Sequence, residues 1–465
     1  MNRIGNELNK LVNRSLDRHV RLAVTGLSRA GKTAFITSLV NQLLHVSTNP
    51  RLPLFSAVRD GHLLGAKRVP QLDMHVPKFA YDEGMSSLLD SPPMWPEPTR
   101  DVSQTRLALR YKPQKGAMKL LQDTATLYLD IVDYPGEWLL DLPLLEMDYL
   151  GWSQQQAKLL KGRRQELAQR WIAMAEHFDP LAPADEAQIE QLSAAFTEYL
   201  YKCKAEGGLH WVQPGRFVLP GELAGAPVLQ FFPFIWADKF TEAQLQQADE
   251  HSNFGMLKSR YKYYQQHVVK AFYREHFSKF DRQIILVDCL QPLNAGPESF
   301  NDMRQALDQL MQSFKYGRSS LLRRLFSPRI DKVLFAATKA DHVTPEQHPN
   351  LVSLLQQMVN DAWQTASFEG IKMDCVSLSS IQATEPGFVS YQGQQMPALR
   401  GHTLTGQAQT LFPGEVPRRL PHDTYWQQHG FDFVNFRPLE LQSDEPLPHI
   451  RMDKALEYLL GDKLQ

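Results

Sequence analysis

The run Gly26-Leu-Ser-Arg-Ala-Gly-Lys-Thr33 constrains this chain more than any other stretch. Residues 20–25 precede it as an apolar, strand-like segment, and residues 34–44 follow as a helix-like one. Between a strand and a helix, the pattern G-x-x-x-x-G-K-[ST] reads as a phosphate-binding loop. Backbone N–H groups converge on a phosphate only where the chain turns tightly, and Gly26 and Gly31 supply that freedom. The helix N-terminus adds donors and a favourable dipole. Lys32 is placed to reach the β- and γ-phosphates, and the Thr33 hydroxyl to ligate Mg²⁺. The setting predicts an α/β fold, a mixed, mostly parallel sheet with flanking helices.

The base is argued far downstream. Residues 330–337, Ile-Asp-Lys-Val-Leu-Phe-Ala-Ala, form an apolar run ending in Thr338-Lys-Ala-Asp341, a variant of the N-K-x-D that reads guanine. A carboxylate there accepts from guanine N1–H and the 2-amino group, whereas adenine offers neither donor and would leave it unpaired. The stems of Lys32 and Lys339 can pack on the phosphate loop and on the base face. Between the two motifs, residues 126–133 run as a strand into Asp133-Tyr-Pro-Gly136. Asp133 would hold Mg²⁺ through water, and the Gly136 N–H would sense the γ-phosphate. Residues 106–111 alternate in character and predict a hairpin strand just before this motif.

Two further segments are softer. A short strand at 373–378 leads to Ser379-Ser-Ile381, where GTP-binding proteins carry S-A-[KL], so Ser380 and Ile381 are candidates to meet the guanine O6. Residues 92–103, Pro-Pro-Met-Trp-Pro-Glu-Pro-Thr-Arg-Asp-Val-Ser, are expected to form the first switch loop. Thr99 would close over Mg²⁺ there, with Ser103 and Thr105 as rivals. Trp95 could cover the ribose or base, or equally anchor the loop.

Taken in order, these segments look like a P-loop GTPase. More narrowly, the chain resembles the YcjX-like family of bacterial stress-associated GTPases. The resemblance rests on Ser28-Arg-Ala30 within the loop, Trp95-Pro-Glu-Pro-Thr-Arg100, Asp133-Tyr-Pro-Gly-Glu-Trp138, Thr338-Lys-Ala-Asp-His342 and the closing segment 448–463. It implies GTP and GDP binding, Mg²⁺ dependence, slow hydrolysis and cytoplasmic residence. It also implies Arg29, Ala30, Gly31, Lys32, Thr33, Ala34, Thr99, Arg100, Lys339, Asp341 and His342 as nucleotide contacts. Small GTPases place Gln directly after the D-x-x-G glycine, where this chain has Glu137. A carboxylate can accept a proton from water but brings negative charge beside a phosphate, so slow turnover is expected. Arg29 and Arg100 are candidates for a built-in cation, or for a ground-state phosphate clamp.

Composition sets outer limits. With 50 basic against 51 acidic residues, nothing favours nucleic-acid binding. Three scattered cysteines, Cys203, Cys289 and Cys375, show neither zinc spacing nor a disulfide framework. No segment is long and apolar enough to span a membrane. Residues 3–18 form a basic amphipathic stripe, expected to dock on the chain itself, with peripheral membrane contact as the alternative.

The expected organisation is an N-terminal helix (1–18), a discontinuous GTPase domain (19–138 and 281–382), an inserted helical domain (139–280) and a β-rich extension (383–465) whose last helix packs back. Long helices are expected over 154–177, 185–204 and 241–280, and a short β-like piece over 430–436. The function expected is a guanine-nucleotide switch acting on an unnamed effector protein. The rivals are a nucleotide-dependent kinase with a small acceptor near the helical insertion, and an ATP-driven machine.

Overall fold

The computed structural model describes residues 18–27, 29–98, 101–115, 119, 123–312, 330–360, 363–364, 367, 370–391, 393–428, 430–441 and 445–465. The amphipathic stripe at 3–17 and the candidates Ser28, Thr99 and Arg100 lie outside them. Seven strands form one sheet: β1 (Arg18–Gly26), β2 (Leu63–Val69), β3 (Ser103–Tyr111), β4 (Ala125–Asp133), β5 (Arg282–Val287), β6 (Lys332–Ala337) and β7 (Lys372–Ser377). Their order is β2-β3-β4-β1-β5-β6-β7. Strands β4, β1, β5, β6 and β7 pair in parallel, and β3 runs against both its neighbours. This is the α/β fold that the strand–loop–helix run predicts, with one antiparallel strand from the early hairpin. Ser103 and Thr105 are β3 residues and not part of a preceding loop.

Alternation along the strands decides what covers the sheet. Val20, Leu22 and Val24 of β1, Leu107 and Leu109 of β3, and Leu127, Leu129 and Ile131 of β4 share one buried core. Helix α1 (Lys32–Leu44) packs Phe35, Ile36, Leu39, Val40 and Leu43 into it. Met452, Ala455, Leu456, Leu459 and Leu460 of the last helix (Met452–Leu460) enter the same core. Each Val, Leu, Ile, Phe or Met side chain so buried contributes roughly 1.5–3 kcal/mol. The other face carries polar contacts across β1, β3 and β4, where His19 stacks on Tyr128 at 5.2 Å, Gln104 donates to Asp130 at 3.0 Å and the Arg106 guanidinium lies 4.7 Å from the Tyr128 ring centre, whereas Ile285, Val287 and Phe335 on β5 and β6 are buried and apolar. Asp462, just past the last helix, pairs with Arg282 at 2.8 Å and Lys332 at 3.0 Å, clasping the tail onto β5 and β6.

After β7 a three-stranded antiparallel sheet follows: β8 (Thr384–Tyr391), β9 (Gln394–His402) and β10 (Ala408–Leu411). Residues 430–436, expected to be β-like, form no strand there and make only an isolated bridge, Thr403 to Phe436. Their aromatic rings turn instead onto His342.

Residues Met1–Tyr134, Phe280–Asn294 and Arg329–Gln465 make one compact unit, and Pro135–Lys279 with Ala295–Pro328 a second. The second is helical around an aromatic core: Trp152 stacks on Tyr261 at 5.2 Å, and Trp171 packs at 5.0 Å from Phe196. The stretch read as one helix over 154–177 is two, Tyr149–Leu159 and Gly162–Ala175, because Gly162 turns the chain at φ 51°. The span 241–280 is likewise broken. Thr241 and Gln244 close a capping box, Ser252 caps Asn253–Tyr264, and a π segment, Gln265–Val269, joins the next helix.

Asp141 lies at the centre of this unit. It accepts from the Tyr264 hydroxyl at 2.6 Å and from the Gly215 N–H at 2.8 Å. Burial pushes its carboxyl up to about 6, against the lowering effect of the Tyr264, Gly215 and Arg216 hydrogen bonds. The unfolded chain protonates the same group near its ordinary value, about 3.9. The extra proton affinity therefore stabilises the folded state fully below about pH 4 and is lost as pH rises through about 6, a difference of about 3 kcal/mol. Wild type measured against Asp141→Asn should lose this increment between pH 4 and 7.5 in urea unfolding followed by tryptophan fluorescence. A constant difference across that range would show that Asp141 is not the group that titrates.

Candidate functional site

Gly26, the last residue of β1, leaves no room for a side chain: a Cβ there would sit 2.5 Å from the Leu286 carbonyl oxygen on β5. Arg29 and Gly31 both take positive φ, 64° and 83°. Gly31 is the N-cap of α1 and meets nothing that would block a Cβ, so backbone conformation and not space calls for glycine. Ala30 is buried and donates to the Leu27 carbonyl at 3.2 Å, which tightens the turn. The Lys32 ammonium folds back to the Gly26 carbonyl at 3.0 Å and closes the loop. The first turn of α1 holds no acidic residue and no side-chain cap, so its positive end is not offset from within the helix. Thr33 and Ala34 are half-buried in that turn, and Arg29 is exposed.

Asp133 ends β4, fully buried, opposite Val24 on β1 and Ser103 on β3. Tyr134 follows it, accepting from Thr25 at 3.4 Å and from Gln283 at 2.8 Å, with its ring stacked on Phe280. That stack fixes the exit of β4. Gly136 and Glu137 belong to the helical unit, at the start of a 3-10 segment, Gly136–Glu146. Within that unit the Glu137 carboxylate is 2% exposed and pairs with Lys204 at 2.8 Å. Trp138 beside it donates to the Leu219 carbonyl at 2.9 Å and lies under the Arg216 guanidinium, 3.2 Å from the ring centre.

The downstream motif forms a tight turn at the end of β6. Lys339 takes φ 60°, and its ammonium meets Asp288 at 2.6 Å and the Phe433 ring centre at 4.8 Å. Asp341 is buried. One carboxylate oxygen accepts from the Ala383 N–H at 2.7 Å, the other lies 3.3 Å from His342 Nδ1, and the backbone carbonyl accepts from the Thr384 hydroxyl. Burial opposes its ionisation, but His342, the Ala383 N–H and the Ser379 hydroxyl together hold the carboxyl below the ordinary carboxylate range. His342 stacks on Phe433 at 5.0 Å and tilts against Phe436 at 5.6 Å. Ser380 and Ile381 are buried in the turn after β7.

The carboxyl ends of β4, β1, β5, β6 and β7 thus carry Asp133, the phosphate loop, Asp288, the Lys339–Asp341 turn and the Ser379–Ile381 turn in spatial order. Crevices at this edge of open α/β sheets are where ligands bind. Two strand spacings, roughly 10 Å, separate the phosphate loop from the Lys339–Asp341 turn, a distance that a ribose spans between phosphate and base. A small apolar cluster links the parts: Ala34 and Trp95 pack against Leu88, Ile381 and Leu447. The Trp95 indole N–H donates to the Phe436 carbonyl at 2.8 Å, so this residue acts as a loop anchor here.

Asp288 and Phe433 belong to the cluster although the sequence did not single them out. Asp288 had a usable signal, an acid at the end of a core strand. Phe433 had none, since only folding brings it to His342. A cavity of about 490 Å³ lined by Arg51, Glu385, His402, Arg437, Glu440 and Glu445 includes none of the motif side chains. Among the described residues, no three His, Cys, Asp or Glu side chains gather as a metal cage, and no helix is long and apolar enough to cross a membrane.

Comparison with known proteins places this geometry in context. The model of the YcjX-like family, DUF463, matches residues 20–464. A protein named Ras-like GTPase YcjX from Escherichia coli (strain K12) is 61% identical over 466 residues, covering 100% of both chains. One of the same name from Shewanella oneidensis is 46% identical over 478 residues, covering 100% of this chain and 99% of its own. The match extends over all seven strands of the sheet and the turns at their carboxyl ends, and the chain belongs to the YcjX-like family.

Proposed function

We propose that the chain binds GTP and GDP with Mg²⁺, hydrolyses GTP slowly and acts as a regulatory switch. One observation carries this: the Lys32 loop and the Lys339–Asp341 turn stand two strands apart on the same edge of one sheet. Its relatives bear the name Ras-like GTPase. A stress-related role, cytoplasmic residence and an effector protein are what the family resemblance adds.

Asp341 suits guanine because it is held ionised, hence acceptor-only. A carboxylate offers about four lone-pair directions; with Ala383 and Ser379 retained, guanine N1–H and the 2-amino group would take the other two in place of the 3.3 Å His342 contact. The Lys339 stem and the Ser380–Ile381 turn would border the base, while the loop from Gly26 to Ala34 takes the phosphates. Thr33 and Asp133 supply hard oxygen donors, which suits Mg²⁺ that keeps waters and phosphate oxygens as its other ligands. When bound, that ion would offset charge on the phosphates. Lys32 exchanges the Gly26 carbonyl for phosphate oxygens. With Glu137 engaged by Lys204, no ready base follows the D-x-x-G glycine, which favours slow turnover. Arg29 and Arg100 are the proposed cations for charge built up during transfer, and Thr99 the proposed closing residue.

Titration calorimetry with GDP and ADP, with Mg²⁺ and with chelator, tests the reading. GDP should bind at least a hundredfold more tightly than ADP, since mismatching a buried carboxylate costs several kcal/mol. Equal affinities would end it.

A further inference from the structure

Asp341 reads the edge of a base, but a purine also presents two flat faces that need apolar cover. At this end of the sheet, Phe433 offers a flat ring beside Lys339 and His342, the residues that flank Asp341 in its turn. It lies nearly parallel to His342, at 13° and 5.0 Å, and 4.8 Å from the Lys339 ammonium. Its position is fixed from several sides. The Phe433 N–H donates to Asn294 at 3.2 Å and the Asp432 N–H to the Pro413 carbonyl at 2.8 Å. Three residues on, Phe436 is buried against Gly401, where a Cβ would come within 2.8 Å of the ring, and its carbonyl holds the Trp95 indole. The ring of Phe433 itself is only half-buried. Ring contacts with His342 and Lys339 also explain why residues 430–436 leave strand geometry although their apolar alternation favours it.

We propose that Phe433, contributed by the segment beyond β10, is a specificity-neutral stacking wall of the nucleotide site, packing on the purine face while Asp341 reads the edge. The segment from Phe433 to Phe436 then joins the base turn to the Trp95 loop through one short piece of backbone. This rests on the nucleotide-binding reading above and adds to it a residue that the phosphate and base motifs do not contain.

A stacking wall and an edge reader respond differently to a change of base. Base–aromatic stacking is sequence-tolerant, because every base has a π-face, and is lost on alanine substitution. Phe433→Ala should therefore weaken GDP, inosine diphosphate and xanthosine diphosphate by the same factor, roughly ten- to a hundredfold. Phe433→Trp should keep affinities within about threefold, since it preserves a flat ring. Phe388→Ala, at an exposed β8 position (67%), serves as the control that leaves all three unchanged.

Unchanged or tighter binding in Phe433→Ala would overturn the proposal, the second outcome marking the ring as a plug. A loss confined to GDP would also overturn it, because the ring would then act only by positioning Asp341. A merely misfolded variant is recognised by loss of the cooperative thermal transition; Phe433→Leu, which fills the volume without a flat face, must then show the same uniform weakening. Wild type binding ADP as tightly as GDP would defeat the guanine reading alone, and the wall would stand or fall on the same factor measured with ADP.

Discussion

Lys32→Ala is expected to lower GDP and GTP affinity by at least two orders of magnitude and to abolish measurable GTP hydrolysis. The Lys32 ammonium already points into the loop, 3.0 Å from the Gly26 carbonyl, and no acid in the first turn of α1 competes for it. Removing a charge-assisted partner from a desolvated charge pair costs about 2–5 kcal/mol. In the nucleotide-free protein the lost bond costs less, on the order of 1.5–3 kcal/mol, because water re-solvates the carbonyl. The two effects separate in a melting experiment. Saturating GDP at a hundred times its dissociation constant should stabilise wild type by about 2.7 kcal/mol and the same GDP concentration the variant by about 0.4 kcal/mol or less. A variant stabilised as much as wild type would show that another cation anchors the phosphates.

The second large effect concerns the base. Asp341→Asn should weaken GDP roughly a hundredfold or more and, in the same variant, raise affinity for xanthosine diphosphate by a similar factor. Xanthine carries an oxygen where guanine has its 2-amino group, so an amide N–H finds an acceptor there while a carboxylate meets no donor. The fold of the turn should survive, since an amide oxygen can still accept from Ala383 and the Thr384 hydroxyl bonds the backbone of residue 341. Competition titrations with both nucleotides on wild type and variant check this. A variant that loses GDP without gaining the xanthine nucleotide would deny residue 341 contact with the 2-position.

How much of this was legible in the sequence follows the range of the interactions involved. The strand, loop and helix from residue 18 to residue 44 are local, and apolar runs with two glycines and a lysine were enough to read them. The downstream strand and its Thr338–Asp341 turn were equally local. Order in the sheet was not: nothing in residues 282–288 says that β5 lies between the Lys32 loop and the Lys339–Asp341 turn, nor that Asp288 meets Lys339. Helix breaks at Gly162 and at the Thr241 and Ser252 caps were visible as residue types, but periodicity ran past them because apolar spacing continues across the breaks. Residues 430–436 were misread for a related reason, since alternating phenylalanines fit a strand ladder as well as a loop that turns its rings onto a distant histidine. Trp95 was legible only as two alternatives, and its partner, the carbonyl of Phe436, comes from the far end of the chain.

The last helix closes a layer that the first strand opens. Met452, Leu456, Leu459 and Leu460 cover an apolar layer begun by Val20 and Leu22, and Asp462 latches onto Arg282 and Lys332. These residues follow nearly every other member of that layer along the chain. Closure of that layer therefore waits on the last helix, and a chain cut before Met452 should leave Val20 and Leu22 only partly covered, by α1 alone.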